Sequence, residues 1–171
     1  LLDRLIGQYK FGDMTITGYA DKHAIDTSCA IYDFKKIHKL FHGVDVEPPD
    51  NPRSWDHCLI VLETGGIKIV HWGDNRHDPP EDIWKALGRI DIALLPIDAS
   101  QHVMGHIHTA HIIETLKPRV IIPHHYYIWD VVQRQSTLQT CEAWVEAYDE
   151  KETFLTPTKV YDLKGLESLD Q

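Results

Sequence analysis

Three side chains able to bind a divalent metal stand shortly past stretches that read as β-strands. His23 follows Asp13-Met-Thr-Ile-Thr-Gly-Tyr19, Asp74 follows Ile67-Lys-Ile-Val-His71, and His125 follows Arg119-Val-Ile-Ile-Pro123. Two imidazoles and a carboxylate can hold a borderline cation such as zinc and still leave coordination positions for water and substrate. An ion held that way lowers the pKa of a bound water from about 16 toward 7 and polarises a substrate oxygen, which is the chemistry of hydrolysis. With 12 histidines in 171 residues, donors are plentiful and their setting must select among them. His71 and His77 lie on either side of Asp74, and His124 precedes His125; these three are expected to orient the ligands by hydrogen bonds from outside the coordination sphere. The run His106-Ile-His-Thr-Ala-His111 also has metal-like spacing, but it reads as the polar face of a helix.

The elements needed to position these residues follow from hydrophobic periodicity. Leu1 to Tyr9 reads as a short helix, Asp13 to Tyr19 alternates as a strand, and Ser28 to Val44 carries apolar residues at helical spacing. Glu47-Pro-Pro-Asp-Asn-Pro52 then interrupts regular structure. Cys58 to Leu62, a Thr64-Gly-Gly66 turn and Ile67 to His71 form an expected tight hairpin. Asp78-Pro-Pro80 leads into a helix over Glu81 to Leu87, which Gly88 ends. Asp91 to Ile97 is a continuous apolar run of the kind buried on both faces, and it is followed by a helix over His106 to Leu116 and a strand over Arg119 to Pro123. A helix near Leu138 to Tyr148 and a strand near Thr158 to Leu163 complete the reading. This alternation of strand and helix predicts an α/β domain with a partly parallel sheet, taken as a single domain over residues 1–171.

Composition narrows the function classes. A formal net charge of −9 argues against nucleic acid or an anionic membrane surface as the main partner. No apolar run reaches the roughly 18 residues of a membrane span, and the expected partner is a small-molecule substrate. The three cysteines, Cys29, Cys58 and Cys141, are widely spaced and odd in number. They fit neither a disulfide framework nor a zinc cluster, and so favour a reducing, cytoplasmic setting.

Three longer segments, Ile69-Val-His-Trp-Gly-Asp74, Leu87-Gly-Arg-Ile-Asp-Ile-Ala-Leu-Leu-Pro96 and Leu116-Lys-Pro-Arg-Val-Ile-Ile-Pro-His-His-Tyr126, resemble the metallo-β-lactamase superfamily in its lactonase-like and phosphodiesterase-like branch. The resemblance implies an αββα sandwich, of which this chain would be the C-terminal portion, and a metal-dependent hydrolase cleaving a phosphodiester, lactone or amide bond. It further implies Asp74 as a catalytic carboxylate bridging two ions, and His125 and His23 as ligands. The ions would be zinc, with manganese or iron as alternatives. The superfamily's His-x-His-x-Asp-His signature does not occur ahead of these segments; His106 to His111 imitates its spacing with Ala110 in the Asp position. Because the chain opens on Leu1, the remaining ligands are expected upstream or on another chain, such as a second copy in a homo-oligomer. Gln101-His-Val103 resembles a stretch of N-acyl phosphatidylethanolamine phospholipases, which would make His102 a catalytic proton donor or a phosphate contact. The competing readings are a non-catalytic binding subunit that lost the first ligand motif and, less favoured, a diiron redox protein.

Overall fold

The computed structural model describes residues 6–24, 57–99, 103–128 and 136–147. Their centre is a six-stranded sheet of order β1-β2-β3-β4-β5-β6: β1 Gly7–Phe11, β2 Met14–Asp21, β3 His57–Thr64, β4 Ile67–His71, β5 Ile92–Pro96 and β6 Val120–His124. The first four pair antiparallel and the last three parallel. Helix α1 (Glu81–Leu87) connects β4 to β5, α2 (His106–Leu116) connects β5 to β6, and α3 (Cys141–Ala147) follows.

One expectation is overturned at the start. Gly7 to Tyr9 belong to a strand, in register with Ile16 to Gly18, and not to a helix. A hairpin with Phe11 opposite Met14 leaves Gly12 and Asp13 as its two-residue turn, and Gly12 takes a φ of 63°. That turn fixes the pairing, and the weak amphipathic pattern of a few residues cannot compete with a ladder of backbone hydrogen bonds. The expected helix over Ser28 to Val44, the last strand near Thr158, Cys29 and His102 lie outside the described residues.

Elsewhere the elements follow the pattern. Thr64 faces Ile67 across Gly65 and Gly66, whose φ angles of 55° and 77° suit a tight hairpin and cost a side-chain-bearing residue strain. Helix α1 starts after Pro80, with Glu81 and Asp82 in its first turn, and stops at Gly88. Strand β5 is buried along nearly its whole length, as its apolar run requires.

Ile83 and Leu87 of α1, Ile112, Ile113 and Leu116 of α2, and Trp144 of α3 join Leu59, Val61, Val70, Ala93 and Leu95 of the sheet in one core. The opposite-facing Cys58, Ile60 and Leu62 are only half-buried. The described residues thus form one sheet with one layer of helices. No helix among them is long and apolar enough to cross a membrane.

Candidate metal centre

Strand direction decides which residues can meet. The carboxyl ends of β4, β5 and β6 share one edge of the sheet because these strands are parallel. Strand β2 runs the same way as β4, since each pairs antiparallel with β3 between them. His23, Asp74 and His125 therefore all emerge at that edge. So does His57, because it opens a strand running the other way and pairs with Asp21.

Asp74 sits at a corner whose shape is set by its neighbours. The Asn75 amide donates to the Trp72 carbonyl at 3.3 Å, so Gly73 and Asp74 are the central residues of a turn. Gly73 has a φ of 58° while Asp74 keeps a negative φ, the arrangement that calls for glycine at the first central position. Beside this turn runs the segment after β2. Ala24 N–H donates to Asp74 O at 2.7 Å, Arg76 N–H donates to Lys22 O at 3.0 Å, and His23 bridges Asn75.

A buried carboxylate secures the two segments to each other. Asp21, fully buried, accepts from Asn75 Nδ2 at 2.8 Å and from Arg76 Nε at 2.9 Å, and the Arg76 guanidinium lies 2.8 Å away at its other nitrogen. Trp72, also fully buried, donates its indole N–H to the carbonyls of Asn75 and Arg76. His23 is thereby held beside Asp74 by contacts that involve neither of their side chains.

The imidazole of His23 is oriented in its turn. Its Nδ1 lies 2.6 Å from the Ala24 carbonyl and must donate to it, which turns Nε2 toward Asp74 Oδ2 at 3.5 Å. The His57 ring lies edge-on to His23 with centroids 5.9 Å apart. Hydrogen bonding to His23, followed by the nearby imidazoles of His125, His23 and His57, pulls the Asp74 carboxyl down to about 2 against an opposing effect of burial.

His125 leaves the end of β6 with a φ of 55°, in the left-handed region. A non-glycine residue there costs about 1–2 kcal/mol. His71 and His124 flank β5 and stack, with centroids 5.1 Å apart and planes inclined by 7°. Burial first, then the neighbouring His71, lowers the His124 pKa to about 4, and its Nε2 is buried with no hydrogen-bond partner.

His77 goes elsewhere. Its ring stacks on His108 of α2 at 3.7 Å, and burial followed by the His108 charge lowers its pKa. It is therefore not placed to orient Asp74, because the chain has already turned toward α2. His111 meets the edge of Trp84 at 6.1 Å.

These donors suit a borderline cation in kind. If Nδ1 of His23 donates to a carbonyl, Nε2 carries a lone pair aimed at a carboxylate oxygen, and a proton or a cation must lie between them. Their 3.5 Å separation is close to the ~3.4 Å edge of a tetrahedron with bonds of about 2.1 Å. Among the described residues no three such groups converge on one point as they stand. The His23–Asp74 pair is already at ligand spacing, while the other imidazoles surround it.

Sequence reasoning passed over His57, Asp21, Asn75 and Arg76. A rule that looks for ligands after strands cannot find His57, which precedes one. Only the antiparallel pairing of β2 with β3 brings it to the same edge.

The beta-lactamase superfamily domain matches residues 4–125, well over half of the chain. The chain belongs to this superfamily. It is similar to a UPF0173 metal-dependent hydrolase of Thermococcus onnurineus, with 41% identity over 73 residues covering 42% of this chain and 32% of that protein. A UPF0173 metal-dependent hydrolase of Pyrococcus furiosus is 38% identical over 73 residues, with the same shares of the two chains. A solved Thermotoga maritima structure described within the metallo-beta-lactamase superfamily superposes with a TM-score of 0.56 at 21% identity, covering 87% of this chain and 59% of that one. This likeness shows the fold, and the α/β metallo-β-lactamase architecture expected from the sequence is the one found. The chain spans about a third of the length of these two curated relatives.

Proposed function

We propose that the edge around Asp74 is the metal-binding part of a metal-dependent hydrolase, with Asp74, His23 and His125 as ligands. The observation that carries this reading is the His23–Asp74 pair: an imidazole fixed through Nδ1 by a backbone carbonyl and aimed through Nε2 at a half-buried carboxylate. Metal-bound histidines characteristically donate their other ring nitrogen in this way. Membership in the superfamily, and the name metal-dependent hydrolase carried by its relatives, support the same reading.

A bound zinc ion would supply an activated water and a Lewis acid for attack on a phosphodiester, lactone or amide. The chain's own residues supply the rest. Asp74 stays ionised throughout the neutral range because its carboxyl titrates near 2. The Asp21, Asn75 and Arg76 network keeps the Asp74 turn against the His23 segment. His124 stays neutral near pH 7, because burial lowers its pKa to about 4, and so it adds no positive charge beside the ion. These donors suffice for one ion, and a two-ion site would need additional ones. His102 remains part of the proposal as a proton donor to the leaving group.

The test is zinc content followed by turnover. Purified protein should bind zinc and hydrolyse at least one of a phosphodiester, a lactone and an amide substrate, and Asp74→Ala should abolish both. Zinc binding that survives Asp74→Ala would refute the site. Zinc binding without turnover of any of the three substrates would favour the binding-subunit reading.

A further inference from the structure

We infer that His57 is a positioning residue for Asp74, holding the Trp72-Gly73-Asp74 turn in the shape that presents the carboxylate; the inference rests on the proposed metal site. The ring occupies space that the turn itself provides. A Cβ built on Gly73 would stand 2.8 Å from His57 Nε2, closer than real Cβ contacts come, and a tight 3.1 Å from its Cε1. Glycine suits position 73 by its φ of 58°, and a side chain there would also have to displace the tip of the imidazole packed against it.

The contact also has a direction. His57 Nε2 lies 3.4 Å from the Trp72 carbonyl, so the nitrogen donates. The same carbonyl accepts the Asn75 amide that closes the turn. His57 therefore grips the turn at its closing hydrogen bond, two residues before the carboxylate. It is anchored from behind as the first residue of β3, opposite Asp21, the residue that fixes Asn75 and Arg76. Its edge-on contact with His23 ties it to the other half of the ligand pair, and its charge is among those acting on the Asp74 carboxyl.

This placement predicts a role exerted through geometry, which a different donor of similar reach can replace. A glutamine at 57 keeps an N–H for the Trp72 carbonyl, whereas an alanine keeps nothing.

The experiment measures zinc affinity of the purified chain by competition with a chromophoric chelator, and the visible spectrum of its cobalt form. His57→Ala should weaken zinc about tenfold to a hundredfold, the usual cost of losing an outer partner of a metal site, and should change the cobalt spectrum. His57→Gln should recover most of the affinity and the native spectrum. Gly73→Ala should weaken zinc more in the wild-type background than in His57→Ala, because the overlap exists only when the ring is present. Thermal denaturation of each variant identifies any that fails to fold; if His57→Ala does, His57→Gln carries the test, with native zinc affinity and cobalt spectrum expected and loss of both overturning the inference. Wild-type zinc affinity in His57→Ala, alongside loss of zinc in Asp74→Ala, would overturn the inference and leave the metal site standing. His57→Gln failing as completely as His57→Ala would also overturn it, since His57 would then be a ligand. Zinc retained in Asp74→Ala would remove the site on which the inference rests.

Discussion

Among the described residues two histidine pairs stack, and only one lies beside the proposed metal site. His71 and His124 stack at 5.1 Å beside Asp74; His77 and His108 stack at 3.7 Å against α2. In each pair burial lowers the pKa of one member, and the other member's charge adds to it. As imidazole pairs they are close equivalents. They differ in the carboxylate each has at hand. Asp74 is half-buried, fixed by backbone contacts and surrounded by His23, His57 and His125. The carboxylate acting on His77 is Asp78, which is exposed and shares the neighbourhood with Arg76. An exposed carboxylate is hydrated and screened, and has little left to offer a cation. On the proposed reading, a metal centre is marked by an immobilised, partly desolvated carboxylate with oriented imidazoles, and histidine density alone marks nothing.

The largest effect that could break this contrast is on metal binding. Calorimetric titration with zinc should show affinity falling at least about a hundredfold in His125→Ala and unchanged in His108→Ala. Equal losses in both variants would make the two clusters equivalent and end the distinction.

The next effect is on stability. Asp21→Ala should leave the Arg76 guanidinium without its buried partner and cost about 3–5 kcal/mol in urea denaturation. Zinc affinity should fall with it, because the His23 and Asp74 segments lose what joins them. A small stability change would mean that the two segments hold together without the ion pair.

Acid titration of the metal-free protein separates the pairs by pH window. His124 has a folded pKa below its unfolded value, so its contribution is complete above about pH 6.5 and is lost as pH falls toward 4, on the order of 2 kcal/mol after allowance for solvent screening. His77 contributes in the same direction. Asp74 adds a second loss between about pH 4 and 2, about 1 kcal/mol after allowance for solvent screening. Asp74→Asn should remove that lower window and leave the upper one. A lower window of unchanged size in the variant would assign it to other carboxylates.

The smallest effect sharpens the comparison from the other side. His108→Ala should cost less than about 1 kcal/mol, as a partly exposed aromatic contact does. It should also raise the His77 pKa, readable by proton NMR, because a like charge has been removed.

The sequence by itself determined much of the sheet and singled out the candidate donors. The Gly65-Gly66 turn set the β3–β4 hairpin, because only glycine takes two successive positive φ angles without strain. The unbroken apolar run of β5 announced burial on both faces, and Pro80 and Gly88 bounded α1. Asp74 and His125 stood out as candidates because parallel strands present their carboxyl ends at one edge, so a polar residue after an apolar run carries positional meaning.

Tertiary structure alone decided the rest. The strand over Gly7–Phe11 was misread as helix because so few residues carry too little periodicity, and pairing with β2 settled it. His77, near Asp74 in sequence, turned away to His108, whereas His57, fifteen residues before Trp72, came to rest against that residue's carbonyl. Asp21 looked like one more polar residue at a strand end, and burial against Asn75 and Arg76 made it the anchor of the site. Periodicity reports which face of an element is buried, but it carries no information about which distant element lies across from it. The proposed metal centre, drawn from four chain segments, depends on that missing information.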